Sequence, residues 1–217
     1  ELNEIHSKVV GAQLGSDAIK TSLEAGAIGL AVIAVFMIGV YFLPGFVASL
    51  ALLLYTALIV LLLNGFDITL TLPGIAGIIL SIGMAVDANV IIFARIREEL
   101  ATGKTVKSSE KIGFDKALSA ILDGNITTLI AALVLLIFGS GSIKGFAQTL
   151  ILGIVLSMFT ALFVTRWLLR AFYAIGFTSE KWYGVGKEHK ALDFVGKRWV
   201  YFAISLVLIL GGFVMMG

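Results

Sequence analysis

The chain has 217 residues, 59% of them hydrophobic and 14% charged, with a net charge of +2 and two prolines; its mean hydropathy is +1.04. These values lie far from those of a soluble domain and describe an integral membrane protein. The slight positive charge offers no basic groove for nucleic acid. The absence of cysteine removes disulfides, thiolate metal sites and thiol nucleophiles together. Two isolated histidines, His6 and His189, make no metal cluster, so no metal, cofactor or enzymatic chemistry is expected.

A membrane span needs about 20 apolar residues at ~1.5 Å rise each, and six stretches meet that length. Residues 1–22 form a polar segment, expected to be the end of an extracytoplasmic domain and its linker. Leu23–Phe42 comes next; Glu24 and the polar residues before it replace the basic leader of a signal peptide, so this span is read as retained. Phe46–Leu63 and Leu70–Phe93 are the second and third spans.

Residues 94–116 are expected to be a cytoplasmic amphipathic segment, because Arg95-Ile-Arg-Glu-Glu99 and Ser108-Ser-Glu110 alternate with Ile112 and Phe114. Such a segment anchors the chain to the leaflet or docks a cytoplasmic partner. Ala117–Phe138 and Phe146–Leu169 are the fourth and fifth spans. The Gly139–Gly145 stretch between them resembles a phosphate-cradling loop but lacks its Gly-Lys-Ser/Thr ending, so a tight external turn is expected. Residues 171–199 read as a cytoplasmic linker, and Val200–Met216, within 200–217, as the sixth span. Trp167, Tyr173, Trp182, Tyr183, Trp199 and Tyr201 flank the last two spans as an interfacial aromatic belt. The fold class is all-α, a polytopic transmembrane bundle centred on residues 23–170.

Of the sixteen basic residues, all but Lys8, Lys20 and Lys144 fall in the segments on one side, which the positive-inside rule assigns to the cytoplasm. The first residue is therefore expected outside. A chain that starts there without a preceding span, and ends at Gly217 as its last span closes, is expected to be a piece of a longer polypeptide.

The third span carries the main candidate. Asp87 stands alone in an otherwise apolar run, where an ionised carboxylate costs about 2.5–3.5 kcal/mol on insertion scales, and such residues mark ion or proton pathways. No Lys or Arg inside the six spans can neutralise it. Gly77, Ser81 and Ala85 recur every four residues and Ala88 comes three later, a small-residue stripe that lets another helix approach closely. At 100° per residue Asp87 lies on another side, shared with Gly83 and Ala94, while Asn89 points roughly 160° away from Asp87. Asn89, beside the stripe, suits an interhelical hydrogen bond.

Asp87 lies eight residues before Arg95, and Asp123 seven after Lys116. In two antiparallel spans this sets both carboxylates roughly 10–12 Å inside the cytoplasmic boundary. Asp123 shares a face with Thr127, and Asn125 with Thr128; this polar layer could hydrate or orient Asp87. Asp123 could equally bond a nearby loop.

Leu72-Pro-Gly-Ile-Ala-Gly, Gly83-Met-Ala-Val-Asp-Ala-Asn89 and Arg95-Ile-Arg-Glu-Glu99 together resemble the signature of the SecD family, membrane subunits that assist the Sec protein-export channel. Val10-Gly-Ala-Gln-Leu-Gly-Ser-Asp17 and Ile121-Leu-Asp-Gly-Asn-Ile-Thr-Thr128 resemble further blocks of that family, so the likeness covers roughly residues 10 to 178. Leu192-Asp-Phe-Val-Gly-Lys-Arg198 and the apolar run after it resemble the start of SecF, which suggests a natural SecD–SecF fusion. The resemblance implies a helical bundle of the resistance-nodulation-division type in a bacterial plasma membrane. In it proton flow drives a large extracytoplasmic domain that pulls exported polypeptide outward, and Asp87 matches the proton-pathway carboxylate. Implied partners are the remainder of SecD and SecF, the Sec channel, the translocating preprotein and membrane lipid. The large extracytoplasmic domain and nearly all of SecF, which would contribute a second intramembrane Asp and an Arg, are absent, and Ala94 stands where the family usually has Glu. A small-solute exporter of the same superfamily and a passive scaffold for the channel are the alternative readings.

Overall fold

The computed structural model describes residues 2–68, 71–184 and 198–216, which are mainly helical, with no strand among them. The chain divides into two units, residues 1–185 and 186–217. In the first, α1 (Leu2–Tyr41), α2 (Leu43–Gly65), α3 (Leu72–Ala101), α4 (Val106–Phe138), α5 (Ser142–Phe159) and α6 (Thr165–Ile175) succeed one another through short connections. A π-helical turn over Thr160–Val164 joins α5 to α6, and a 3₁₀ turn lies at Glu180–Tyr183. The second unit contains α7 (Arg198–Met216).

Five stretches are long and apolar enough to cross a membrane: Ile19–Tyr41, Leu43–Gly65, Leu72–Ala101, Val106–Phe138 and the continuous Ser142–Ile175. The expected sixth span coincides with α7, Arg198–Met216, whose apolar stretch among the described residues is Tyr201–Gly212. Part of the expected linker, 185–197, lies outside the described residues. Residues 2–22, expected as a domain end and linker, continue α1 backward without a break.

Local chemistry sets the turns. Pro44 opens α2, and Gly45 lies so close to the Met37 carbonyl that any side chain there would collide with it. Together with Phe42 at φ 55°, this folds α2 back on α1 within one residue. Thr71 caps α3 by accepting from the Gly74 amide at 3.1 Å, with Pro73 in the first turn. Between α4 and α5 only Gly139, Ser140 and Gly141 intervene, with Gly141 at φ 53°, the tight turn that the glycine-rich stretch predicts.

The amphipathic segment 94–116 corrects the expectation of a helix lying on the leaflet. It is the tip of a helical hairpin: α3 runs on to Ala101, residues 102–105 turn, and α4 starts at Val106. The reason is that its apolar side chains find protein instead of lipid. Ile96, Leu100, Val106 and Phe114 are buried in one core cluster, and Gly113 lets the α4 backbone approach Ile96, where a Cβ would sit 2.6 Å from Ile96 Cγ1. Glu99, buried at the tip, pairs with Lys116 at 2.5 Å and with Lys104. At 30 residues α3 is about 45 Å long, more than the ~30 Å hydrocarbon core, so its charged end stands clear of the apolar layer.

The aromatic belt needs one correction. Trp167, Trp182, Trp199 and Tyr201 are exposed, but Tyr183 is fully buried. Gly176, at φ 122°, turns the chain back after α6, and the 3₁₀ turn carries Tyr183 into the core at the basic end. Burial, reinforced by nearby Glu110, pushes its phenol above the usual range. Outward faces of the first unit are apolar, with Val32, Val35 and Phe36 of α1 and Ile126, Ile130 and Val134 of α4 exposed. That is the surface a helix presents to hydrocarbon.

Candidate functional site

α3 occupies the middle of the first unit and packs most extensively against α5, then α4. Its two sides carry different chemistry. On the α5 side, Gly77, Ser81 and Ala85 are buried; Ala88, also buried, lies toward α4. Facing the first three, α5 presents its own four-residue series, Gly145, Thr149, Gly153 and Ser157, also buried. A Cβ on Gly77 would lie 2.5 Å from Thr149 Oγ1, and one on Gly153 would overlap Ser81. Neither helix could come so near with larger residues at these positions. Ser81 Oγ and the Tyr55 hydroxyl of α2 share a hydrogen bond of 2.6 Å, tying a third helix to the contact. The α5 series is legible in the sequence as a second small-residue stripe, although the reading from sequence takes up only the α3 stripe. Gly83 does not belong to this packing. A Cβ there would meet nothing within 4 Å, because its angular position places it toward the Asp87 side.

Asn89 is 3% exposed and lies on the core side. Its Nδ2 donates to Ala85 O at 3.0 Å, and its Oδ1 accepts from Thr165 Oγ1 at 2.8 Å. Thr165 is the first residue after the π-helical turn. The wider turn shifts the helical phase of α6 relative to α5, and such turns recur at functional positions. No motif in the sequence marks Thr165 or the π turn before it.

Asp87 lies on the other side. It is exposed and lines an open groove of about 260 Å³ between α3 and α4. Met84, Ala88 and Ile91 form one wall, and Ala120, Gly124, Asn125 and Thr128 the other. Among the described residues no Lys, Arg or His pairs with Asp87. Asn125 Nδ2 donates to Ile121 O at 2.7 Å and Thr128 Oγ1 to Gly124 O at 3.1 Å, which leaves their oxygens as acceptors.

The expected polar layer therefore divides. Asn125 and Thr128 share the groove with Asp87, whereas Asn89 is turned into the core. Asp123 and Thr127 are exposed outside the groove; Asp123 accepts from Ser119 Oγ at 3.4 Å, and Thr127 donates to Asp123 O at 2.9 Å. Among the described residues no cluster of His, Cys, Asp or Glu could hold a metal ion.

One further contact has no signal in the sequence. Arg97 Nε donates to Tyr183 O at 3.1 Å, its terminal nitrogen bonds Val40 O, and its guanidinium lies 4.4 Å over the Tyr41 ring. A single side chain thus joins the end of α1, the end of α3 and the segment after α6.

The apolar helices, their close-packed small residues and a lone unpaired carboxylate in the third of them define a multi-pass α-helical membrane protein. The chain belongs to the family of the protein export membrane protein SecD/SecF, C-terminal part, which it matches over residues 1–174. It is 52% identical over 199 residues to the protein translocase subunit SecD of Acidaminococcus fermentans, covering 91% of this chain and 48% of that protein. To the subunit SecDF of Bacillus subtilis it is 40% identical over 235 residues, covering 100% of this chain and 32% of that one. The crystal structure of SecDF from Thermus thermophilus, a translocon-associated membrane protein, superposes with a TM-score of 0.79 at 38% identity, over 94% of this chain and 28% of that one. The chain thus spans about half the length of the curated relatives it matches, or less.

Proposed function

We propose that this chain is the membrane-spanning part of a Sec export subunit in a bacterial plasma membrane, with the basic helix ends in the cytoplasm, and that Asp87 takes up and releases the proton whose flow drives late-stage preprotein translocation. The observation that carries this reading is an intramembrane carboxylate without a cation, set in a groove that opens away from the bundle and shares its level with Asn125 and Thr128. Thr128, its hydrogen given to Gly124 O, offers an acceptor to neutral Asp87, while Asn125 keeps a second N–H for the ionised form. Little of α4, which forms one wall of the groove, is buried; the remaining SecF half covers it and brings the counter-charge. The driving force is adequate: one charge crossing 100 mV releases ~2.3 kcal/mol and each pH unit ~1.4 kcal/mol. The partners are the rest of SecD and SecF, the Sec channel, the preprotein and surrounding lipid.

The test is Asp87→Asn in the full-length protein, with export and proton flux measured in the same membrane vesicles. The variant keeps the shape of the side chain, so wild-type expression and stability are expected, with both activities lost. Export at the wild-type rate would leave the scaffold reading in possession. Wild-type vesicles that show proton flux without export, but with efflux of a small apolar solute, would favour the exporter.

A further inference from the structure

At the basic end of the bundle, α4 and α6 leave a groove whose two compartments differ in chemistry. The outer one, about 390 Å³, is lined by Lys107, Glu110, Lys111, Arg170 and Tyr173. The inner one, about 450 Å³, adjoins it at Arg170 and is walled by Phe114, Leu118, Leu162, Phe163 and Trp167, with the Arg166–Asp115 pair also in its lining. Because α4 runs away from the basic end and α6 toward it, Leu118 and Phe163 lie about two turns deeper than Lys111 and Arg170. A cationic compartment at the surface with an apolar one beneath it repeats the order of a phospholipid, headgroup above and chain below.

Charge selects the kind of headgroup. Arg170 pairs with Glu110 at 3.4 Å and Arg166 with Asp115 at 3.8 Å. Lys107 and Lys111 are exposed and pair with no carboxylate among the described residues, so the groove keeps a positive surplus. Arg166 Nε is buried without an acceptor, an N–H still owed a hydrogen bond beside the inner compartment. Basic pockets between helices on the cytoplasmic side suit anionic headgroups, and Trp167, 63% exposed at the rim, is an interfacial side chain.

We infer that this groove holds one anionic phospholipid of the cytoplasmic leaflet, its phosphate among Lys107, Lys111 and Arg170 and an acyl chain along Leu118 and Phe163. The lipid bridges α4, which walls the Asp87 groove, to α6, which carries the partner of Asn89. The inference rests on reading these helices as membrane spans and not on any proton role for Asp87.

The experiment uses the full-length protein in nanodiscs of phosphatidylcholine with a minority of phosphatidylglycerol, and native mass spectrometry to count the lipids retained. Wild type is expected to keep one phosphatidylglycerol in preference to phosphatidylcholine. Lys107→Gln with Lys111→Gln removes two surface cations and is expected to weaken retention about thirty-fold. Leu118→Trp, which fills the inner compartment with the lysines intact, is expected to expel the lipid. Lys20→Gln with Lys144→Gln, the same charge removed at the opposite end, should change nothing. Inorganic phosphate should not compete. The inference is overturned if wild type retains no phosphatidylglycerol, if either groove variant retains it like wild type, if the distal pair matters equally, or if inorganic phosphate displaces it. Both nanodisc leaflets are equivalent and Asp87 is untouched, so none of these failures bears on the proposed proton pathway.

Discussion

Thr165 donates its hydroxyl hydrogen to the side-chain oxygen of Asn89 at 2.8 Å, across 76 positions of sequence. Both residues are buried. The bond fixes the phase of α6 against the core side of α3, while Asp87, two residues before Asn89, stays on the opposite side in its groove.

Asn89→Ala is expected to destabilise the protein by about 0.5–2 kcal/mol, because it strands a buried hydroxyl, and interhelical hydrogen bonds in membranes fall in that range. Thr165→Val alone should cost a similar amount. In a double-mutant cycle of detergent unfolding the two changes should be non-additive by about 0.6–1.7 kcal/mol. Strict additivity would show that the bond carries no coupling.

Gly153→Ala sets a methyl against Ser81 where α3 and α5 touch. Overpacking of this kind costs about 1–3 kcal/mol, read as a lower thermal midpoint in detergent. Ser81→Gly removes the nearest opposing atoms but also the bond to Tyr55, so the added methyl should cost less in the Ser81→Gly background than in the wild type. An equal cost in both backgrounds would mean that the contact is looser than the structure has it.

Arg97→Lys keeps the charge but loses the planar fork that reaches both Tyr183 O and Val40 O. Each lost bond to a charged donor is worth about 1.5–3 kcal/mol locally. Hydrogen exchange in residues 177–184 should therefore speed up by about ten-fold or more, with exchange in the α3–α5 contact unchanged. Uniform acceleration throughout the bundle would point to global instability and away from a local joint.

A cysteine introduced at Thr128, in this chain without cysteine, should react with a small membrane-impermeant thiol reagent added from the cytoplasmic side of the full-length protein, because its position lines the Asp87 groove. Reaction from the opposite side alone would reverse both the orientation and the depth of that groove.

Whether a feature is legible in the sequence depends on its physics. Spans are legible because hydrophobicity and length are properties of the chain itself: a run such as Leu43–Gly65 must avoid water whatever surrounds it. The isolation of Asp87 and the small residues of α3 are legible for the same reason, since angular position on a helix is set by residue number. The segment 94–116 is not, because its amphipathic pattern is equally satisfied by a lipid surface or by another helix; Gly113 against Ile96 decides for the helix. Tyr183 departs from the expected belt because an aromatic at a helix end suits either the interface or a core, and only the reversal at Gly176 brings it inside. The polar layer divides because helical phase tells which residues share a face but not which face meets a neighbour. Asn125 and Thr128 join Asp87 because α4 turns that face toward α3. The pairing of Asn89 with Thr165, which follows a π-helical turn, joins residues 76 positions apart, and the Arg97 joint three segments far apart in sequence. Sequence by itself determined what each helix must hide from water; which surfaces meet was left to the tertiary structure, because contact is a property of pairs of helices and no single helix carries it.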